Sequence, residues 1–401
     1  MKHVLKNIIL GLLLVLNTAC CFAGQLEFGG YAKSFLIFQH SPDGSGDHWL
    51  LANPWGLKIS FLPRNNLSLN LAYIISPHWE SPAAYTGAVT SSSARQYRVS
   101  DFKSRLLPDS PSAADNLSLW QNLDRAYVRL SLNRADIFVG RQPIAWGSAR
   151  FINPTDVIAP YGFQEVDTED RIGVDAVKID YPLGQLSEVG LGYISGKDFK
   201  SQNSAAYLRP KIYLFKTDLA FTIMEFKINR LYGIDVSRSL GGAGLWLEAG
   251  YIDFKETSEE ALRVSAGADY RLSDEVYVFG EYHFNGCGEQ NTTAYRENYI
   301  KQAYSNGLVY LMANNYFSAG VSYQITPLLS SGTQPTLNLD DWSVILSQQF
   351  EYNLTQNSYL SCGFYKGLGK AAGTNPGGVD TIRSEFGSYS DLYFASYGIY
   401  F

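Results

Sequence analysis

The stretch Ser390-Asp-Leu-Tyr-Phe-Ala-Ser-Tyr-Gly-Ile-Tyr-Phe401, at the end of the sequence, has a strictly alternating pattern. Its alternate positions are Tyr393, Ala395, Tyr397, Ile399 and Phe401. In an extended strand successive side chains point to opposite faces, so these residues share one apolar, mostly aromatic face. In water such a strand would be an exposed edge that promotes aggregation. The pattern therefore predicts a strand that closes a barrel against the first strand and turns this face to lipid.

The first 23 residues have the three-part pattern of a secretory signal peptide. Lys2 and Lys6 make a basic start, Ile8–Leu16 is apolar, and Cys21–Ala23 offers small residues for cleavage near Ala23. The apolar run is too short for a membrane helix, which needs about 20 residues. Lipidation at Cys20 is a weaker alternative, since the Leu of the lipobox-like segment lies one position too far from that cysteine.

The remaining segment, residues 24–401, has the composition of a membrane β-barrel. Cleavage removes two lysines and lowers the formal net charge from −6 to −8, which argues against nucleic acid as a partner. The chain is rich in Tyr, Phe and Gly, and it lacks a second long apolar block of about 20 residues. Hydrophobic residues mostly alternate with polar ones, and helical periodicity is almost absent.

Alternation predicts about 16–18 antiparallel strands. The clearest are Leu245–Tyr251, Leu262–Arg271 and Val276–Phe284, where charged residues face apolar ones across each strand. We interpret the charged face as lumen and the apolar face as lipid contact. Less regular segments include a long polar stretch at Ser76–Asn122, a strand at Asp136–Trp146, and a second long loop at Gly147–Arg171.

The connections predict the topology. Short ones alternate with mostly longer ones; the short ones are 63–66, 133–135, 182–185, 241–244, 273–274 and 353–357. Barrels of this class have short periplasmic turns and long extracellular loops, so we expect both termini in the periplasm. About 18 strands would enclose an aqueous channel.

Motifs in the first half of the chain carry a family resemblance. They are Asp124-Arg-Ala-Tyr-Val-Arg129, Val139-Gly-Arg-Gln142, Trp146-Gly147 and Asn153-Pro-Thr-Asp156, with a second patch at 325–329 and 338–341. They resemble Gram-negative outer-membrane porin-like barrels, related in plan to alginate-export and phosphate-selective porins. The final strand likewise resembles the assembly signal of such barrels. The resemblance implies a channel and does not name a solute.

Charged residues on the inferred lumen face are the candidate site. They are Arg125, Arg129, Arg141, Asp156, Lys178, Asp180, Glu248, Arg263, Asp269 and Glu281. Asp156 and the acidic run Glu165–Asp170 are expected to fold inward and pair with Arg125, Arg129 and Arg141. Either a charge-selective constriction or a structural ion-pair network that holds the loop in place would result.

Two further features belong to the lumen hypothesis. The loop Ser76–Asn122 carries a cluster of charges and is expected to insert partly into the barrel, although a surface loop is the alternative; the charges are Arg95, Arg98, Asp101, Lys103 and Arg105. Aromatic residues on the inner face are interpreted as a stacking track for sugars; they are Tyr127, Trp246, Tyr277 and Phe279.

The sequence therefore predicts a passive outer-membrane channel for small polar or charged solutes, without catalytic, cofactor or metal sites. Expected partners are outer-membrane lipid and lipopolysaccharide, the barrel-assembly machinery through Tyr397, Ile399 and Phe401, and small solutes. A homo-oligomer or a periplasmic partner is left open. One alternative is a barrel that sheathes a partner such as a periplasmic multihaem cytochrome. Another is an enzyme with its site at the rim.

Overall fold

The computed structural model describes residues 24–40, 46–81, 93–109, 116–162, 164–255, 257, 259–374 and 380–401. The predicted signal peptide lies outside these residues. Antiparallel pairing closes 18 strands into one barrel. One of the 18 consists of two segments, β2 (Asp47–Ala52) and β3 (Trp55–Arg64), which lie between β1 and β4. The other seventeen are β1 Gln25–His40, β4 Leu67–Glu80, β6 Leu117–Leu132, β7 Ala135–Gln142, β8 Val174–Pro182, β9 Glu188–Ile194, β10 Ala205–Leu214, β11 Thr217–Phe226, β12 Asn229–Leu240, β13 Ala243–Phe254, β14 Glu259–Arg271, β15 Val276–Asn285, β16 Asn315–Thr326, β17 Leu329–Asn338, β18 Val344–Thr355, β19 Ser358–Leu368 and β22 Asp391–Tyr400.

The last strand closes the barrel on the first, as the alternating pattern predicts. β22 pairs with β1 from Tyr31 opposite Tyr400 to His40 opposite Asp391. Two further backbone hydrogen bonds join Gly30 and Phe401 at 2.9 and 3.1 Å. Because the ladder is continuous, the barrel wall has no free edge. The strand number agrees with the upper end of the predicted range.

The two ends of the barrel differ. Eight short connections lie at one end, which we call the turn end: 65–66, 133–134, 183–187, 215–216, 241–242, 272–275, 327–328 and 356–357. The long connections 81–116, 143–173, 286–314 and 369–390 lie at the other, the loop end. Gln25 and Phe401 are at the turn end. All six predicted short turns fall at this end.

The smaller elements are not among the 18 strands of the wall. They are the short strands β5 Arg105–Leu107, β20 Gly373–Thr374 and β21 Asp380–Thr381, 3₁₀ helices at Ser93–Tyr97, Lys197–Phe199, Ser201–Asn203, Thr292–Ile300 and Phe386–Ser388, and an α-helix at Gln302–Ser305. No helix in the described ranges is long and apolar enough to cross a membrane.

Two predicted boundaries were wrong. β4 runs on to Glu80 and β6 begins at Leu117, so the predicted polar stretch 76–122 is largely strand at both ends. Ser76, His78 and Glu80 face the interior of the barrel. Because they are polar, the sequence pattern at the end of β4 was interpreted as a loop. β7 ends at Gln142, four residues earlier than predicted, because Pro143 has no N–H to continue the ladder.

The outward face is apolar and ends in two aromatic rows. At the loop end these are Trp49, Tyr193, Tyr232, Tyr282, Phe317 and Tyr393, and at the turn end Tyr181, Tyr213, Tyr270, Tyr323, Tyr352 and Phe401, all at least 38% exposed. From Tyr393 to Phe401 the chain advances about 26 Å, at about 3.3 Å per residue. That distance suits the apolar band of a membrane barrel, about 25 Å tall. The faces of β13 to β15 that were predicted to contact lipid do point outward, as the exposed Leu245, Leu262 and Tyr282 show.

Candidate functional site

The interior contains the connection 143–173, which we call the inner loop. Its apolar residues Ile144, Val157 and Ile158 are at most 4% exposed. They form one cluster with inward residues of β8, β9, β11, β12 and β13, namely Val174, Ile194, Met224, Leu231 and Ile252. One side of the barrel is therefore filled with an apolar core rather than with water. The sequence did not reveal this core, because it forms only where the inner loop packs back against these strands.

Glu281 anchors the start of the inner loop. Its carboxylate on β15 is fully buried and accepts backbone N–H groups from Arg150 at 2.7 Å, Ile152 at 3.1 Å and Phe151 at 3.2 Å. Trp246 Nε1 donates to the same carboxylate at 2.9 Å. A carboxylate has about four acceptor positions, so this group is saturated by the loop and the wall.

Glu248 anchors the Asn153–Asp156 turn. Its fully buried carboxylate accepts the backbone N–H of Thr155 at 2.9 Å and the Thr155 hydroxyl at 2.7 Å. The wall beneath is the cross-strand pair Gly233 and Gly250. A Cβ at Gly233 would lie 2.6 Å from Thr155 Cγ2, and one at Gly250 would lie 2.7 Å from the Pro154 carbonyl oxygen. The turn fits closely against the wall because Gly233 and Gly250 have no side chains at these two positions.

The acidic half of the inner loop crosses the barrel to β1 and β3. We call this region the closing seam, because the pairing of β1 with β22 closes the barrel there. Lys33 on β1 contacts Asp167 at 3.0 Å and Glu169 at 2.5 Å. Lys58 on β3 contacts Asp170 at 2.9 Å. The loop is thus fixed to opposite sides of the wall, by hydrogen bonds to Glu248 and Glu281 on one side and by lysines on the other.

This pairing corrects the prediction that the acidic run pairs with three arginines. Arg129 instead pairs with Asp136 at 2.9 Å, and Arg141 with Asp175 at 2.7 Å and Asp101 at 2.9 Å. These acids lie on adjacent strands or in the other loop, and Asp175 is directly opposite Arg141 in the ladder. The loop meets the seam lysines because of its path through the barrel, which strand alternation does not specify.

The other members of the predicted set are also engaged. Arg125 pairs with Asp124 and donates to the Arg171 carbonyl at 2.7 Å. Asp156 pairs with Arg171 at 2.8 Å inside the inner loop. The remaining pairs are Lys178 with Asp180 at 2.8 Å and Arg150 with Asp269 at 3.0 Å. Arg263 is buried and stands apart from all of these pairs.

The predicted aromatic track is not continuous. Tyr277 and Phe279 line one cavity on β15. Trp246 is 6% exposed, and the Arg150 guanidinium lies over its ring at 5.4 Å. Tyr127 is on β6, half-way round the barrel from β15.

The described part of the connection 81–116 does enter the interior. Ala94 and Tyr97 are at most 1% exposed within the inner-loop cluster. Arg98 is buried and pairs with Asp101 at 2.6 Å. Residues 82–92 and 110–115 of the predicted insertion lie outside the described residues.

Glu385 is an organising residue that sequence reasoning missed. It lies in the connection 369–390, fully covered, and accepts from the Tyr316 hydroxyl at 2.5 Å, Asn338 Nδ2 at 2.9 Å and the Met312 N–H at 2.9 Å. Burial raises the pKa of Glu385 to about 7. The sequence feature that could have identified it is a single glutamate among small and aromatic residues, close to Phe386 and Tyr389.

Part of the remaining space, a cavity of about 200 Å³, lies against β1 to β6, and a larger part lies against β14 to β19. A cavity of about 440 Å³ separates the inner loop from this wall, and a second of about 250 Å³ lies beside it. Both are lined by Gln334, Ser347 and Tyr365, so they adjoin. Several inward side chains here are small and uncharged, for example Ser318, Ser322 and Thr336. Two adjoining cavities therefore lie off-centre, beside the inner loop.

The barrel is similar in structure to solved porins. OccAB2 of Acinetobacter baumannii matches with a TM-score of 0.57 and 7% identity, over 94% of this chain and 98% of that chain. The outer membrane protein opdK from Pseudomonas aeruginosa matches with a TM-score of 0.56 and 8% identity, over the same shares of the two chains. At such identity the likeness shows the fold alone. No family model and no curated protein matches the sequence, so the resemblance to a particular porin-like group stays a prediction.

Proposed function

We propose that this chain is a non-enzymatic outer-membrane channel through which small polar or charged solutes diffuse passively. The carrying observation is a closed barrel, apolar outside, whose loop-filled interior still keeps two adjoining cavities along β14 to β19, which we propose form the solute passage. The porin neighbours support this proposal, and one of them is named an outer membrane protein. Short turns and both chain ends on one side support a periplasmic turn end.

Selection in this proposal depends on the narrow region beside the inner loop. Arg150, Asp156, Glu165, Arg171 and Arg263 line the larger cavity. Lumen residues nearer the turn end, including Arg129, Lys178 and Asp180, act at longer range on ions that enter there. The structural and selective roles coincide, because the ion pairs that hold the inner loop also set the charge of the passage.

The proposed partners follow from the outward face. Outer-membrane lipid and lipopolysaccharide would cover the apolar band and its aromatic rows. The outward residues Tyr397, Ile399 and Phe401 are the proposed contact for the barrel-assembly machinery. Nothing favours a sheath around another protein, since the inner loop occupies the interior that a partner would need.

The direct test is electrical recording from the refolded barrel in a planar bilayer. A steady conductance is expected, with a reversal potential in a salt gradient that reports ion selectivity. A barrel that is correctly folded by heat-modifiable gel migration yet never conducts would overturn the channel proposal.

The conductance is expected to fall as the pH is lowered from 7.5 to 5. Burial raises the pKa of Asp156 to about 6 and that of Glu165 to about 6. These groups hold their protons when the loop is docked and lose them more easily when it is released. Docking is therefore most favoured below pH 4 and weakens as pH rises through 6.

The pH effect is to be measured in about 1 M KCl, where screening suppresses simple changes in ion attraction. The double variant Asp156→Asn, Glu165→Gln should show a smaller fall in conductance over this range than the unmodified barrel. A conductance that rises on acidification in the unmodified barrel would contradict this account.

A further inference from the structure

Arg263 is a buried cation without an acidic partner. It lies on β14, is 4% exposed and lines the cavity of about 440 Å³. Its Nη1 donates to the Leu308 carbonyl oxygen at a long 3.4 Å, and its Nε has no hydrogen-bond acceptor among the described residues. Among the described residues, no carboxylate oxygen lies within 4.0 Å of its guanidinium.

The contrast with other covered arginines is clear. Arg98 contacts Asp101 at 2.6 Å, and Arg141 contacts Asp175 at 2.7 Å. A guanidinium has five N–H donors, and a buried charge is strongly destabilising unless it is paired and hydrogen-bonded. Arg263 differs from these two arginines, because its N–H donors lack a carboxylate acceptor in the described part of the chain. An acceptor that enters the cavity would supply one.

The neighbouring carboxylates are already engaged. Glu248 receives the N–H and hydroxyl of Thr155. Asp156 pairs with Arg171 at 2.8 Å. The nearby His283 ring shares a hydrogen bond with Ser265 Oγ at 2.8 Å. The negative charges of Glu248 and Asp156 partly offset the positive charge of Arg263, but neither carboxylate accepts a hydrogen bond from it.

The other charged groups of the cavity are also engaged. Arg150 pairs with Asp269 at 3.0 Å. Glu165 accepts the Gly162 N–H at 2.9 Å, and the charges that act on it are Arg171 and Asp167.

We propose that Arg263 forms a subsite for a small oxyanion, the carboxylate or phosphate group of a solute in the passage. Carboxylate and phosphate oxygens match the planar fork of donors that arginine presents. The inference rests on the proposed channel only for the arrival of the solute, since binding to the refolded barrel needs no conduction.

The test is the unfolding midpoint of the detergent-refolded barrel, followed by heat-modifiable gel migration at constant ionic strength. Sodium acetate and sodium phosphate are each titrated against sodium chloride. A saturable rise of roughly 2–4 °C is expected with at least one oxyanion, and the two arms tell carboxylate from phosphate. Arg263→Gln should abolish the rise, and Arg263→Lys should retain a weaker one.

The matched control is Arg129→Gln, which removes a lumen arginine that is already paired with Asp136. It should leave the anion effect intact. A rise that does not saturate, or that persists in Arg263→Gln, would overturn the subsite. So would the absence of any rise in the unmodified barrel, which decides the matter even where the variants fail to fold. A silent barrel that still binds the oxyanion would refute the channel and keep the subsite.

Discussion

Replacing Glu281 with alanine is expected to raise the single-channel conductance several-fold. The Glu281 carboxylate holds the N–H groups of Arg150, Phe151 and Ile152 inside the barrel. Each buried donor left unpaired costs about 1–3 kcal/mol, and these donors regain water when the loop leaves its seat. The loss therefore shifts the inner loop toward release by about 3 kcal/mol or more. A released loop opens the apolar-filled side of the lumen.

The matched control is Glu351→Ala, which removes an acid whose alternation on β18 places it on the inner face, near the turn end. Its conductance should stay close to that of the unmodified barrel. Gly250→Val reaches the same open state by sterics, because its Cβ would lie 2.7 Å from the Pro154 carbonyl. An unchanged conductance in both Glu281→Ala and Gly250→Val, with normal folding, would contradict the inner loop as the main constriction.

Replacing Glu385 with alanine is expected to expose the connection 286–314 to trypsin. Glu385 accepts from the Met312 N–H in that connection and from Tyr316 and Asn338 on the wall. Loss of this acceptor leaves several buried donors without a hydrogen bond at once. Each unpaired donor destabilises the docked connection by about 1–3 kcal/mol. The strands remain paired, so the barrel should survive while the connection loosens. Cleavage after Arg296 and Lys301 should accelerate at least tenfold, as measured by fragment mass against time.

The control for this variant is Gln290→Ala in the same connection, since Gln290 is exposed and lies away from both cleavage sites. It should be cut at the rate of the unmodified protein. Should Glu385→Ala resist trypsin equally well, the connection would have to be held by its other contacts, such as the bond from Asn298 Nδ2 to the Met312 carbonyl at 2.7 Å.

The wall was predictable from the sequence because its signal is local. Leu262 and Arg263 are neighbours in the chain, yet one faces outward at 46% exposure and the other inward at 4%. Alternate residues of each strand face apolar surroundings outside and polar surroundings inside. This produces an alternating pattern that can be recognised in each strand separately. Turn residues then set the strand count.

The candidate site was only partly predictable. Glu248 and Glu281 were identified as lumen acids, but their partners are loop backbone N–H groups, which no side-chain pattern encodes. Lys33 and Asp167 are 134 residues apart, and alternation says nothing about contacts at such a distance. Glu385 was missed because its burial depends on two connections that fold over it.

By itself, the sequence determined a closed antiparallel barrel with an apolar outer band, a range of about 16–18 strands, and the inner or outer face of many wall residues. These follow from alternation and turn chemistry within a few residues. Only the tertiary structure decided that the inner loop fills one side, that Lys33 and Lys58 hold its acidic half, and that Arg263 is left unpaired beside the cavity. Those outcomes depend on the three-dimensional path of the loop, which is set by which buried donors and acceptors meet across the barrel.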